Sequence, residues 1–353
     1  MAVRIKELLA DTEHSQEDVI PVGIAWSFPI EQTSHYSGNI QPMGKGFHCH
    51  EGIIGEDLAN LIESACHQKN LNVRVRALIN DSAATLLCNA YQDRNTTIGL
   101  ILGTGTNAAI HVPFKLIGLQ KFGMRSASWY QQAQDNDIVV NTELSMFGKG
   151  ILYRTEWDET LNAEHRLPDF QPLEYMTTGR YLGEIFRLIL IDAINDHGLF
   201  AGRFHAKLYE RYSIPADVLA GLEEAALDQA YTSSDRIQSS LGLHDLSRVE
   251  LEFLAAIAAA LSCRAAAYIA LAIHALWSLR PRDCGGMAVT QTTVAVDGYV
   301  ICEYPNFRAK CQNYIQALLK LDPDAGHDEI YVKPCNEASI LGAAAAVAIA
   351  DVA

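Results

Sequence analysis

The chain has 353 residues, 49% of them hydrophobic and 20% charged, which is apolar material for large buried cores and rules against a disordered chain. Lys and Arg number 27 against 42 Asp and Glu, a net charge of −15 with neutral histidine. That balance argues against nucleic-acid binding through a broad basic face and against a polybasic membrane anchor. It leaves room for a local anion site made of backbone N–H groups and a metal ion.

Met1-Ala2-Val3-Arg4-Ile5-Lys6 lacks the apolar core of a signal peptide, so secretion is not expected. Residues 21–30 form a short apolar run closed by Pro29, as a buried strand would be. Over 55–68, Leu58, Leu61, Ile62, Ala65 and Cys66 share one helical face, and Glu56 and Asp57 suit the positive end of the helix dipole. Val73 to Ile79 reads as a strand ending in Asn80-Asp81, with a helix from Ala83 to Tyr91. A second strand, Thr97 to Leu102, runs into Gly103-Thr104-Gly105-Thr106-Asn107. Ala108 to Pro113 is extended again, so the glycine segment reads as a hairpin turn.

Residues 118–138 are polar and read as a loop. A long helix is expected near 178–196, and mostly helical sequence to about 280. Leu251 to Leu279 is apolar enough to raise a membrane span, but Glu252, Arg264 and His274 interrupt it, and a core helix is the better reading. Thr292 to Val296 is a strand entering Asp297-Gly298, and Leu341 to Val347 a small-residue helix suited to close packing. The alternation of strands and helices implies an α/β fold. The eight cysteines form no CxxC pair and read as free thiols of a reducing compartment. His48-Cys49-His50 reads as an exposed loop rather than a zinc site, so no metal site built by the protein alone is expected.

Two strands deliver polar residues at their C-terminal ends, Asn80-Asp81 and Gly103 to Asn107, where open α/β sheets bind ligands. Taken alone, Asn-Asp after a strand is an ordinary helix cap and Gly-Thr-Gly-Thr an ordinary tight turn. Gly103, Gly105 and Ala108 also satisfy a loose G-x-G-x-x-A pattern. The dinucleotide fingerprint needs a helix to start there, whereas Ala109-Ile110-His111-Val112-Pro113 is strand-like, so that reading fails. A turn with free N–H groups and two threonine hydroxyls can still cradle a phosphate.

Ser27-Phe28-Pro29, Gly44-Lys45-Gly46-Phe47, Asn80-Asp81, Gly103 to Ala108, Asn141-Thr142-Glu143, Glu174, Gly179-Arg180-Tyr181-Leu182-Gly183-Glu184 and Val294 to Gly298 stand in one order. In these blocks, spread over residues 20–350, the chain resembles the eukaryotic hexokinases. The resemblance implies an actin-like ATPase (ribonuclease H-like) fold with two lobes, residues 1–79 giving part of a small, sugar-binding lobe and 80–353 the large lobe. It implies Asp81 as the general base that takes the proton from the sugar 6-hydroxyl. A carboxylate at the end of a buried strand can be oriented and partly desolvated, which raises its basicity. The resemblance further puts Ser27, Lys45, Asn80, Asn107, Glu143 and Glu174 on the hexose. It puts Gly103, Thr104, Gly105, Thr106 and Ser339 on the phosphates and nucleotide of MgATP.

Departures from the family pattern shape the functional expectation. The chain begins about 25 residues before Ser27, with no counterpart of the family's early phosphate hairpin. That hairpin's strands flank the 22–28 strand in the family, so this strand is expected to lack backbone partners and to expose apolar side chains. Gly44 replaces a threonine, Leu144 a tryptophan, and Leu167 and Asp169 the ends of an Asn-Pro-Gly loop. Glu337-Ala338-Ser339-Ile340 replaces Asp-Gly-Ser-Gly. The expectation is a cytoplasmic, hexokinase-type ATP:hexose 6-phosphotransferase with weak turnover. The alternative is a catalytically impaired sugar sensor acting through a protein partner, nuclear in that case, like atypical hexokinase-like proteins of filamentous fungi. Neither reading involves nucleic acid or a membrane span.

Overall fold

The computed structural model describes residues 1–10, 18–42, 52–122, 127–134, 136–202, 206–227, 234–243, 245–280, 283–284, 287–288 and 291–350. The chain opens with α1 (Ala2–Leu9), β1 (Ile20–Trp26), the hairpin β2 (Ile30–Ser34) and β3 (Ser37–Ile40), α2 (Leu58–His67) and β4 (Val73–Asn80). Asp57 starts α2: one carboxylate oxygen accepts the Asn60 N–H at 2.9 Å, and the other accepts Gly38 N–H at 2.9 Å, tying helix to hairpin. In β4, Val73, Val75 and Ala77 point inward while Arg74 and Arg76 face water, the period of two expected of a strand with one wet face. Ile24, Ile40, Leu58, Ile62, Leu71, Val73, Val75 and Leu78 form the core of this part.

The expectation that the strand around 22–28 lacks backbone partners is corrected here. β1 pairs in parallel with β4, from Ile20 opposite Val73 to Trp26 opposite Asn80. Ile20, Val22 and Trp26 pack against the core just named rather than standing bare. Among the described residues β4 is the one strand that pairs with β1.

From β4 the chain passes directly into α3 (Asp81–Ala90), then β5 (Thr96–Leu102) and β6 (Thr106–Pro113). Gly99 lets α3 lie flat on β5: a Cβ there would stand 2.3 Å from the Ser82 carbonyl oxygen. Residues 118–138 are not all loop. Ala127–Ala133 forms a short helix, α4, before β7 (Asp137–Asn141). No apolar stripe announces α4; Trp129, edge-on to Phe114 with ring centroids 5.6 Å apart, supplies its packing.

The second half is helical: α5 (Glu156–Glu164), α6 (Pro172–Thr177), α7 (Gly179–His197), α8 (Ala216–Leu227), α9 (Ser234–Leu241) and α10 (Arg248–Ser278). The 31 residues of α10 span about 46 Å. Its length and hydropathy would allow a membrane crossing. Its Leu254, Ala258, Ala265, Ile269 and Ile273 are instead buried inside the protein, and its Arg264 forms a bidentate pair with Asp158 at 2.6 and 2.9 Å. The remainder comprises the short strands β8 (Asp283–Cys284) and β9 (Met287–Ala288), then β10 (Gln291–Asp297), α11 (Tyr299–Cys302), α12 (Phe307–Leu321), β11 (Glu329–Pro334) and α13 (Ala338–Ala350). The five-stranded sheet runs β11-β10-β5-β6-β7, with β11, β10 and β5 parallel and β6 and β7 antiparallel.

Two features lock the distant parts together. α13 returns to the strands of the first part: a Cβ at Gly342 would meet the Ala84 carbonyl oxygen of α3 at 2.1 Å, and one at Gly23 of β1 the Ala343 carbonyl oxygen at 2.4 Å. A buried polar cluster joins α8, α10 and α12. Glu223 accepts from Ser262 Oγ at 2.5 Å, Tyr304 OH at 2.8 Å and Lys310 Nζ at 2.5 Å. Lys310→Met would leave the Glu223 carboxylate without its counter-charge, and a loss of about 3 kcal/mol in urea unfolding is expected. Replacing Glu223 and Lys310 together by apolar residues should recover much of it; no recovery would mean that the charge pair is not the source.

Cys66, Cys88, Cys311 and Cys335 are buried free thiols, and Cys263 and Cys302 are half-buried free thiols. Burial pushes Cys311 up to about 12, so it carries almost no thiolate at neutral pH. His48-Cys49-His50 and Lys45 lie outside the described residues.

Candidate functional site

The parallel pair β1–β4 ends with Trp26 opposite Asn80, so Ser27, Asn80 and Asp81 leave the same edge. Ser27 is exposed and Asp81 half-buried. Asn80 caps α3: its Oδ1 accepts Ser82 N–H at 2.9 Å and Ser82 Oγ at 2.6 Å, and its Nδ2 donates to the Trp26 carbonyl at 3.4 Å. Asp81 is the first residue of α3, and its Oδ1 accepts Ser82 N–H at 2.8 Å.

Asn107, near the start of β6, connects this corner to the far edge of the five-stranded sheet. Its Nδ2 lies 3.3 Å from Asn80 Oδ1 and donates to Asn141 Oδ1 at 2.8 Å; its Oδ1 accepts Ala108 N–H at 2.8 Å and Leu144 N–H at 3.2 Å. Asn141 then donates through Nδ2 to Glu143 Oε1 at 2.8 Å. Glu143 is exposed, with φ +50° in the left-handed region, so its backbone is held there by its surroundings at a cost of about 1 kcal/mol. A chain of side-chain amides thus runs Asn80, Asn107, Asn141 to the Glu143 carboxylate. Sequence reasoning placed Asn80, Asn107 and Glu143 in the site and left out Asn141. Its signal was its position at the end of a strand two residues before Glu143, and its amide can donate to one neighbour while accepting from another.

Glu174 stands differently from the expectation of a carboxylate presented to a sugar. It is fully buried in α6, and its Oε2 accepts the Thr106 N–H at 3.1 Å. Burial, and after it the Glu174 charge, pushes the neighbouring Tyr181 phenol well above its usual range, so Tyr181 is neutral there. In this geometry Glu174 braces the turn between β5 and β6.

That turn, Gly103 to Gly105, is closed by Gly103 N–H to the Gly105 carbonyl at 2.9 Å and held from α7 by Gly179 N–H to the Gly103 carbonyl at 3.0 Å. The expectation of two threonine hydroxyls on a phosphate is corrected. Thr106 is buried, with its hydroxyl donating to the Ile101 carbonyl at 3.0 Å, and Thr104 alone is exposed. Among the described residues no group accepts the N–H of Thr104 or Gly105. Beside the turn, β10 ends at Asp297-Gly298, where Gly298 adopts φ +112° and a Cβ would stand 2.5 Å from the Leu102 carbonyl oxygen. Only glycine fits there, and it leaves the half-buried Asp297 beside the turn.

The donor set fits a nucleotide phosphate: two backbone N–H groups, one exposed hydroxyl and a glycine-lined floor. Among the described residues no three His, Cys, Asp or Glu side chains gather to hold a metal by themselves. Magnesium carried in on a nucleotide does not need such a cluster, since phosphates and waters fill most of its shell and one carboxylate suffices, a part that Asp297 beside the turn would take. Ser339 belongs to the C-terminal helix. On the first turn of α13 it lines a groove of about 450 Å³ with Pro21, Gly23 and Ala25 of β1, and the neighbouring Ile340 is exposed.

A family model described as "Hexokinase" matches residues 97–349, and a second of the same description matches residues 1–91. Curated relatives include a hexokinase of Kluyveromyces lactis, 27% identical over 328 residues that cover 92% of this chain and 65% of the relative. A hexokinase of Emericella nidulans is 28% identical over 343 residues, covering 95% and 66%. Among solved structures, the hexokinase from Schistosoma mansoni complexed with glucose is similar with a TM-score of 0.81 at 26% identity, over 99% of this chain and 74% of that one. The chain therefore spans about 65% of the length of the first of these curated relatives.

Proposed function

We propose, from the premise that this chain belongs to the hexokinase family and has its actin-like ATPase α/β fold, that it binds a hexose at the strand ends and phosphorylates its 6-hydroxyl. The observation that carries the reading is the amide chain from Asn80 through Asn107 and Asn141 to Glu143, which ends beside Asp81 on one side and at an exposed carboxylate on the other. Hexose hydroxyls both donate and accept. Glu143 accepts from them, Asn80 and Asn107 turn an amide toward them, and Ser27 follows the neighbouring strand at the same edge. Lys45 completes the proposed sugar set, and Ser339 the nucleotide set. Asp81 takes the 6-hydroxyl proton as that oxygen becomes the nucleophile. MgATP, when bound, supplies the phosphoryl group and the metal charge that offsets its oxygens. The Thr104 and Gly105 N–H groups would hold those oxygens, with Glu174 fixing the turn from beneath. We assign residues 1–79 and 80–353 to the two lobes and place the protein in the cytoplasm.

A second reading, a sugar-binding regulator with weak or no turnover that acts through a protein partner, draws support from one place. Ala338 and Ile340 stand where the family resemblance puts glycines against the nucleotide. One pair of measurements separates the readings. A coupled assay with glucose and MgATP is expected to show ADP release that depends on glucose, and the melting temperature is expected to rise with glucose. A glucose shift without phosphorylation above an Asp81→Asn control leaves the regulator; no shift with any hexose removes both.

A further inference from the structure

The loop that follows Glu143 and the loop that leads into Glu174 meet at Asp169. Its backbone sits at φ +60°, in the left-handed region where glycine is most at ease. Its Oδ1 accepts from Arg154 at 3.1 Å and from Asn162 Nδ2 at 3.2 Å, its Oδ2 lies 2.9 Å from Lys149 Nζ, and its N–H donates to Asn162 Oδ1 at 2.8 Å. The Arg154 side chain is only 12% exposed, so its guanidinium is largely shielded from water. Lys149 and Arg154 together hold the Asp169 carboxyl well below the usual carboxylate range. Both cations belong to the segment after Glu143, whereas Asp169 belongs to the segment before Glu174.

Two neutral bonds run in parallel with this clamp, Gln171 Nε2 to Ser145 Oγ at 3.1 Å and Leu173 N–H to the Phe147 carbonyl at 3.1 Å. Three residues beyond Asp169 the chain enters α6 at Pro172, where Glu174 holds Thr106.

We infer that Asp169 is a positioning residue: its carboxylate staples the two loops, setting Glu174, and through it the Thr106 turn, relative to Glu143. The inference rests on the proposed sugar and phosphate site for its functional meaning, but the staple itself is testable without substrate. A conformationally permitted replacement separates the side chain from the backbone, because Asp169→Gly removes the whole carboxylate while relaxing the backbone at φ +60°. Asp169→Asn keeps an acceptor for Arg154 and Asn162 and loses the charge together with the oxygen that faces Lys149.

The test is hydrogen–deuterium exchange of the full chain without ligand, read over residues 103–108 and 165–174, beside a urea midpoint. Asp169→Gly is expected to speed exchange at least tenfold in both segments with the midpoint nearly unchanged, and Asp169→Asn to fall between it and wild type. Faster exchange in 165–174 alone, or in neither segment, overturns the inference. So does an equal rise across the whole chain, which would mean general destabilisation. Steady-state kinetics add the functional arm: a tenfold higher KM for glucose with kcat within twofold is expected for Asp169→Gly. If the wild-type chain phosphorylates no hexose, the proposed function fails while the exchange result still decides the staple.

Discussion

Asp81→Asn is expected to lower hexose phosphorylation by about 10²–10⁴-fold, the usual weight of a general base, with glucose affinity within about twofold of wild type. The substitution nearly preserves shape. An asparagine Oδ1 can still accept the Ser82 N–H that Asp81 holds at 2.8 Å, and Asn80 continues to cap α3. What disappears is the ability to take up a proton, together with a favourable charge at the helix N-terminus of about 0.3–1 kcal/mol. A coupled assay for kcat, a glucose titration by intrinsic fluorescence and a urea midpoint separate these effects. An Asp81→Asn protein that phosphorylates at the wild-type rate would remove Asp81 from the chemistry, whatever its place at the strand end.

Gly342→Ala is expected to destabilise the protein by more than about 3 kcal/mol, against the sign that helix propensity alone predicts. Propensity favours alanine over glycine inside a helix by about 1 kcal/mol. The added Cβ, however, would stand 2.1 Å from the Ala84 carbonyl oxygen and 2.5 Å from its carbon. Neither is the end of a flexible side chain, so α13 and α3 must part, and overpacking of this kind costs a few kcal/mol. Gly221→Ala on α8 is the control. Its nearest neighbour there is an Ile237 side-chain atom at 3.7 Å, an ordinary contact, and a gain of about 0.5–1 kcal/mol is expected. Thermal melts of the two variants should move in opposite directions. A rise for Gly342→Ala would show that the interhelical contact yields at little cost.

These expectations reflect what the amino-acid order makes legible. The strand that ends in Asn80-Asp81, the hairpin around Gly103 to Gly105 and the core helix through Arg264 all follow from local periodicity and turn residues, and the structure has them within a few positions. Relations across the chain are less visible. Glu174 looks like any helical acid until α6 is seen beneath the turn, with its carboxylate under Thr106. Asn141 looks like the end of a strand until β7 lies beside β6 and brings it to Asn107. Asp169 reads as the loss of a loop glycine, yet it meets Lys149 and Arg154, twenty and fifteen residues earlier in the chain. Burial and pairing of this sort depend on where two segments meet in space, and spacing along one of them does not specify it.

The return of α13 to β1, β4 and α3 also bears on the order of synthesis. The helix that carries Asp81 leaves the ribosome roughly 260 residues before Ala338, a delay on the order of 10–50 s at ordinary elongation rates. Through that interval the face of α3 around Ala84 and the Gly23 face of β1 have no α13 to cover them, and they stand open to chaperones. The part of the chain that bears the proposed base is made early and is completed only by one of the latest helices.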